Sequence, residues 1–221
     1  MSTGLPSYSW PRLHDLARFL ARWVYRPAFR IRVHGMSRVP RTGPVVVIAN
    51  HSSMIEPQLI FGLLPRRSVF LVKQQLYHGL LGWSLHRIGQ LPVRRGEPDS
   101  GPLLEARSVL RAGGALGVFP EGARGDGDVQ NAELGAAWLV RTCSATVVPV
   151  AVRGTRPPDD GRRRLLPRVD ILVGEPFAPA VGRGRTGLVE ATEQLRVRLA
   201  DTVRALDEWR VAHGMERNEG R

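Results

Sequence analysis

The chain has 221 residues, of which 43% are hydrophobic. That is long enough to bury a core in one domain and too apolar for a disordered segment. Its formal net charge of +12 selects partners rather than a fold: nucleic acid, an anionic membrane surface or a polyanionic substrate. No run approaches the roughly 20 apolar residues of a membrane span, and no basic-then-apolar leader opens the chain, so any role on lipid is expected from the surface.

In chain order, residues 1–9 read as a frayed start. From Trp10 to Arg26, Leu13, Leu16, Ala17, Leu20, Trp23 and Val24 recur at helical spacing, with Arg12, Arg18, Arg22 and Arg26 between them. This basic amphipathic helix has two readings: a surface helix packed on the core, or a helix lying in a membrane interface. Both hold if it packs through one edge and meets lipid through another. Strands and helices then alternate. Ile31–His34 and Val45–Ala49 read as strands around a Pro/Gly turn at Pro40–Pro44, and Ile55–Leu64 as a helix. Ser68–Val72 reads as a strand, Tyr77–Ile88 as a helix, Gln90–Val93 as a short strand and Pro102–Arg111 as a helix. Ala115–Phe119 is the next strand and Ala132–Thr142 the next helix. Strands follow at Thr146–Val152 and Val169–Val173, separated by a loop at Pro157–Arg164, and a long helix covers Gly187–Val211. The alternation predicts an α/β class, a single-domain αβ sandwich around a mainly parallel sheet. The organisation expected is an N-terminal amphipathic helical segment over residues 1–28 and one domain over 29–221.

Two stretches carry chemistry. Asn50-His51-Ser52-Ser53-Met54-Ile55-Glu56 follows the apolar run Val45–Ala49 directly. A carboxylate can hold an imidazole in the tautomer that accepts a proton. On one continuous helix His51 and Glu56 would lie roughly 140° apart. They can face each other only with His51 in the loop and Glu56 in the first helical turn, where Pro57 is tolerated. The competing reading is a helix cap, because Ser53-Met54-Ile55-Glu56 matches the capping box. The second stretch, Phe119-Pro120-Glu121-Gly122-Ala123-Arg124-Gly125, also follows an apolar run. It is either a tight turn with a solvated arginine, or a site where backbone N–H groups and a guanidinium meet one anion. Together the two point to a base that activates a hydroxyl on a phosphorylated acceptor.

Two such motifs in this order resemble the glycerophospholipid acyltransferase family, which includes the lysophosphatidate acyltransferases. The family pattern Asn-His-x4-Asp is matched at Asn50, His51, Ser53 and Glu56, with Glu in place of Asp. Phe-Pro-Glu-Gly-Thr-Arg-Ser is matched by Phe119, Pro120, Glu121, Gly122 and Arg124, with Ala123 for Thr and Gly125 for Ser. Gly89-Gln90-Leu91-Pro92-Val93-Arg94-Arg95 resembles an intervening block whose key arginine falls at Arg95. Val148–Thr155 and Val173–Phe177 resemble two later blocks, and the likeness covers about residues 30–210.

The resemblance implies transfer of a fatty acyl group from acyl-CoA or acyl-carrier protein to the hydroxyl of lysophosphatidate, in phospholipid synthesis, by a domain spanning 29–221. By the same match, His51 is the general base, Glu56 orients it, Arg95 and Arg124 hold the acceptor phosphate, and Glu121 and Gly122 shape that pocket. No cofactor or metal is expected, only the acyl-CoA or carrier-protein co-substrate. The expected partners are acyl-CoA, a lysophospholipid acceptor and an anionic membrane surface, with no nucleic acid, since no nucleic-acid motif is present. The expected location is peripheral, on the cytoplasmic face of the cell membrane. Ala123 and Gly125 each lack a hydroxyl that could touch phosphate, which leaves room for another lysophospholipid or a glycolipid acceptor. Glu56, one methylene longer than Asp, leaves open a weak or silent lipid-binding member. Cys143, the only cysteine, reads as a small core residue and excludes an internal disulfide. Trp83, with Leu80, Leu81 and Leu85, reads as core or as lining of an acyl groove. His14, His34, His78, His86 and His213 show no ligand spacing.

Overall fold

Runs of branched apolar residues bounded by Gly and Pro become strands because their side chains suit a pleated, buried surface. In the computed structural model, which describes residues 4–94, 100–122, 125–156 and 165–215, seven of them form one sheet. The strands are β1 (Arg30–His34), β2 (Val45–Ala49), β3 (Ser68–Lys73), β4 (Leu91–Val93), β5 (Ala115–Val118), β6 (Thr146–Arg153) and β7 (Arg168–Val173). The helices are α1 (Pro11–Val24), α2 (Glu56–Leu63), α3 (Gly79–Arg87), α4 (Ser100–Arg111), α5 (Leu134–Cys143) and α6 (Gly184–Ala212). The sheet order is β1-β7-β6-β2-β5-β3-β4. Every neighbouring pair is parallel except β6 and β7, which are antiparallel. The α/β class and the mainly parallel sheet are as expected. The expected loop at Pro157–Arg164 lies outside the described residues.

β2 sits at the centre with all five residues buried, as a strand covered on both faces must be. Its side chains alternate between two apolar layers. Val46 and Ile48 pack with Leu139 and Val140 of α5 and Leu195 and Leu199 of α6. Val45, Val47 and Ala49 pack with Leu59, Ile60 and Phe61 of α2.

The first helix departs from a simple apolar-in arrangement. A Cβ on Gly62 of α2 would lie 2.6 Å from the Arg22 nitrogen and 2.7 Å from the Ala21 carbonyl carbon. The two helices therefore touch backbone to backbone, which only glycine permits. Small residues fill the seam, so Ala17 and Ala21, with Tyr25, turn inward. Leu16, Phe19, Leu20, Trp23 and Val24 stand exposed on the other side. Leu80, Leu81 and Trp83 of α3 are also exposed. This corrects the core reading of Trp83, whose ring meets Trp10 edge-on at 5.7 Å.

His14 is the exception on α1. It is fully buried, its Nδ1–H donates to the Ile88 carbonyl at 2.6 Å, and its ring meets Phe61 edge-on at 5.0 Å. Burial pushes its pKa down from 6.5 to about 4, against the pull of the Ile88 carbonyl. The unfolded chain therefore takes up a proton below pH 6.5 that the fold refuses until about pH 4. His14 contributes no pH dependence above that window and weakens the fold as pH falls through it. At pH 5 the cost is about 2 kcal/mol. We predict that His14→Gln flattens the pH dependence of the urea midpoint between pH 7 and pH 5. An unchanged slope would rule this out.

Candidate active site

The connections leaving two adjacent strands diverge. β2 is followed by α2 on one face of the sheet, and β5, beside it, by α5 on the other. The carboxyl ends of β2 and β5 are therefore a topological switch point, where open α/β sheets leave a crevice. Both sequence motifs begin there: Asn50–Glu56 after β2 and Phe119–Gly125 after β5.

His51 lies in the loop and Glu56 is the first residue of α2, with Pro57 next. Glu56 is fully buried and His51 is 7% exposed. His51 Nδ1 stands 3.2 Å from Glu56 Oε2. The same oxygen accepts the backbone N–H of Ser52 at 2.8 Å and of Ser53 at 3.1 Å. Glu56 Oε1 accepts the hydroxyls of Ser52 at 2.6 Å and Thr155 at 2.7 Å. Every one of these neighbours can donate, and an ionised, acceptor-only carboxylate is the form that matches them. A proton on Nδ1 toward Glu56 leaves Nε2 with its lone pair, and Nε2 has no protein partner among the described residues. The capping-box reading is met only by half. Glu56 takes the Ser53 N–H, but the residue before the helix is Ile55 and no side chain caps it.

The second motif closes on the first. Glu121 Oε1 accepts the His51 backbone N–H at 3.0 Å, and Gly125 N–H donates to the His51 carbonyl at 3.0 Å. The Phe119 ring lies 4.5 Å from the imidazole. Burial pushes the Glu121 carboxyl above its ordinary value, and the His51 N–H partly opposes this. Gly122 has φ +68, and a Cβ there would fall 2.1 Å from Glu133 Oε1, so the turn requires glycine. Arg124 and Arg95 lie outside the described residues. Among the described residues no group of three or more His, Cys, Asp or Glu could hold a metal.

The sequence reading missed the roles of several supporting residues. Asn50 is fully buried; its amide donates to the Val152 carbonyl at 3.0 Å and its oxygen accepts the Val152 N–H at 2.8 Å. It thereby extends the β2–β6 pairing one residue past the ladder and sets where His51 begins. Arg153, 2% exposed, makes a two-pronged bond to Asp207 at 2.8 and 2.9 Å and reaches Asp128 at 2.7 Å. Its remaining N–H groups go to the carbonyls of Asp126 and Gly127. Asn50 stood inside a motif already singled out, whereas Asp207 lies too far along the chain for spacing to reveal it.

The chain belongs to the family described as Acyltransferase, whose model matches residues 30–153 and so spans both motifs. It is 26% identical over 186 residues to the 1-acyl-sn-glycerol-3-phosphate acyltransferase of Bacillus subtilis, covering 80% of this chain and 90% of that one. It is 25% identical over 152 residues to a chloroplastic 1-acyl-sn-glycerol-3-phosphate acyltransferase of Arabidopsis thaliana, covering 64% of this chain but 41% of that one. The chain thus spans less than half the length of the plant relative. The crystal structure of the 1-acyl-sn-glycerophosphate acyltransferase PlsC from Thermotoga maritima superposes with a TM-score of 0.66 at 23% identity, over 88% of this chain and 80% of that one. The two share a fold.

Removing the Asn50 side chain strands a buried backbone N–H and a buried carbonyl. Each costs about 1–3 kcal/mol. We predict that Asn50→Ala destabilises the fold by about 2–4 kcal/mol, read from the urea midpoint. A loss within experimental error would show that water replaces the amide.

Proposed function

We propose that the protein transfers a fatty acyl group from an acyl thioester, acyl-CoA or acyl-carrier protein, to the free hydroxyl of lysophosphatidate. The observation that carries this reading is the buried His51–Glu56 pair at the switch point, with Nδ1 committed to Glu56 Oε2 at 3.2 Å. His51 Nε2 takes the acceptor hydroxyl proton as the oxygen attacks the thioester carbonyl. The carbon–sulfur bond then breaks, and the imidazolium returns its proton to the departing thiolate. The products are the ester and the free thiol, and Glu56 stabilises the imidazolium between the two steps. General-base catalysis supplies about 10²–10⁴-fold, and orientation of two substrates and stabilisation of the oxyanion supply the remainder. Arg124 and Arg95, by resemblance, hold the acceptor phosphate. The relatives named for 1-acyl-sn-glycerol-3-phosphate support lysophosphatidate as acceptor. Ala123 and Gly125 favour testing other lysophospholipids and a glycolipid beside it.

His51→Ala is expected to abolish acyl transfer, measured as thiol release from acyl-CoA with lysophosphatidate present and absent. A folded His51→Ala protein that keeps most of its activity would overturn the mechanism. Glu56→Gln is expected to lower turnover at least about tenfold through loss of imidazolium stabilisation. Equal rates would return Glu56 to a capping role, since a capping box accepts either residue.

The site of action in this reading is the cytoplasmic face of a membrane, bound from the surface. Among the described residues no helix is long and apolar enough to cross a bilayer. The exposed Leu16, Phe19, Leu20 and Trp23 of α1 form a stripe at the spacing of one helix face, with Arg12 and Arg22 exposed on the same helix and Arg26 exposed in the turn just after it. Arginines near an anionic surface contribute about 1 kcal/mol each. Deleting α1 would uncover α2 at Gly62, so substitution is the cleaner test. Leu16→Gln, Phe19→Gln and Trp23→Gln together are expected to weaken sedimentation with phosphatidylglycerol-containing vesicles while leaving the melting temperature within a few degrees. Raising salt should weaken the parent's binding further, because a Debye length is about 8 Å at physiological ionic strength. Undiminished sedimentation of the triple variant would assign binding to arginines elsewhere.

A further inference from the structure

Glu56 has two oxygens with different neighbours. Oε2 is held entirely by its own loop, through His51 Nδ1, the Ser52 N–H and the Ser53 N–H. Oε1 takes the Ser52 hydroxyl from that loop and the Thr155 hydroxyl from 99 residues away. Among the described residues Thr155 is the only donor to Glu56 from outside residues 51–53. It is therefore the one bond tying this carboxylate to the sheet.

Thr155 is delivered by an anchored piece of chain. It follows β6 by two residues and is 7% exposed. Arg153, the last residue of β6, is clamped by Asp207 and Asp128. Gly154 between them has φ +85, and a Cβ on it would fall 2.0 Å from the Arg168 carbonyl oxygen. The turn can be made in this way only by glycine, and it sets the direction of the next side chain.

The imidazole bond is the longest of the five at 3.2 Å. It has the most to lose if the carboxylate turns about its terminal torsion, which is soft. Glutamate has one more rotatable bond than aspartate, so its end group has more freedom to be removed. We infer that Thr155 is a positioning residue: its hydroxyl fixes the plane of the Glu56 carboxylate so that Oε2 faces His51 Nδ1, and so adapts the site to a glutamate. The inference rests on the reading of His51 and Glu56 as the proton-transfer pair.

The consequence is a defect in turnover rather than in binding. Thr155→Val keeps the shape of the side chain and removes the donor. It is expected to lower kcat about tenfold, with KM for acyl-CoA and for lysophosphatidate within about twofold, and Thr155→Ser is expected to restore most of the rate. Transfer of the bond's effect through Glu56 is tested in a second background. When Glu56→Gln is already present, adding Thr155→Val should cost less than about twofold, because coupled residues are not additive. Wild-type kcat in Thr155→Val would overturn the proposal, as would a tenfold loss that persists in the Glu56→Gln background or one that Ser does not rescue. If Thr155→Val does not fold, as judged by circular dichroism, Thr155→Ala decides the same comparison. His51→Ala, assayed beside these, separates the two levels. Activity retained there removes the proton-transfer pair itself, whereas an inactive His51→Ala beside a fully active Thr155→Val removes only the role of Thr155.

Discussion

A carboxylate taken wholly out of water must be surrounded by donors, because an ionised group left bare in a protein interior is unsustainable. Glu56 imposes that demand at the end of the central strand, and the local structure answers it. The loop from His51 to Ser53 wraps backward so that its N–H groups point at the helix that follows. The chain leaving β6 turns at Gly154 and supplies the Thr155 hydroxyl. The turn after β5 then brackets His51 from the other side, through Glu121 to its N–H and Gly125 to its carbonyl. Three separate segments thus converge on the His51–Glu56 pair, two on the carboxylate and one on the histidine backbone, each through hydrogen bonds that the buried setting makes costly to break.

The scaffold behind this convergence is also electrostatic. Arg153 and Asp170 face each other directly across the antiparallel β6–β7 pairing. On α6, Asp207 and Arg210 lie three residues apart, on the same side of the helix. Asp207 pairs with Arg153 and Arg210 with Asp170, and all four are buried. The quartet is charge-neutral, but deleting any one member leaves an uncompensated charge inside. Leu195, Leu199, Val203 and Leu206 press the same helix into the apolar layer. The polar clamp therefore sits at the end of a hydrophobic seam and fixes the register in which α6 buttresses the end of β6.

Legibility in the sequence followed the range of the interactions. β2 was readable because Val45–Ala49 is buried on both faces, and a run of branched apolar residues has no other good home. The direction of β7 was not. Val169–Val173 has the same pattern whichever way it runs, and its antiparallel pairing with β6 depends on the path between them. The apolar content of α1 was plain, but which side faces the core depends on Gly62, some forty residues on, whose missing side chain admits only alanines. His51 and Glu56 were legible because five residues suffice to constrain them. Thr155, Arg153 and Asp207 were not, because their partners are defined only once β6, α2 and α6 are packed. Arg95 and Arg124, read from the motifs, lie outside the described residues.

The backbone contact between α1 and α2 has a mechanical meaning. α2 begins with Glu56 itself, and α1 rests on α2 with no side chain between them at Gly62. A helix so joined is a keel rather than a tether. Once its exposed face is seated on any planar surface, the tilt of the histidine-bearing crevice above that surface is set by the fold. The contact at Gly62 leaves no slack between α1 and the helix that carries Glu56. In the reading proposed above, a lipid acceptor in that plane would therefore meet a crevice held at fixed height and angle.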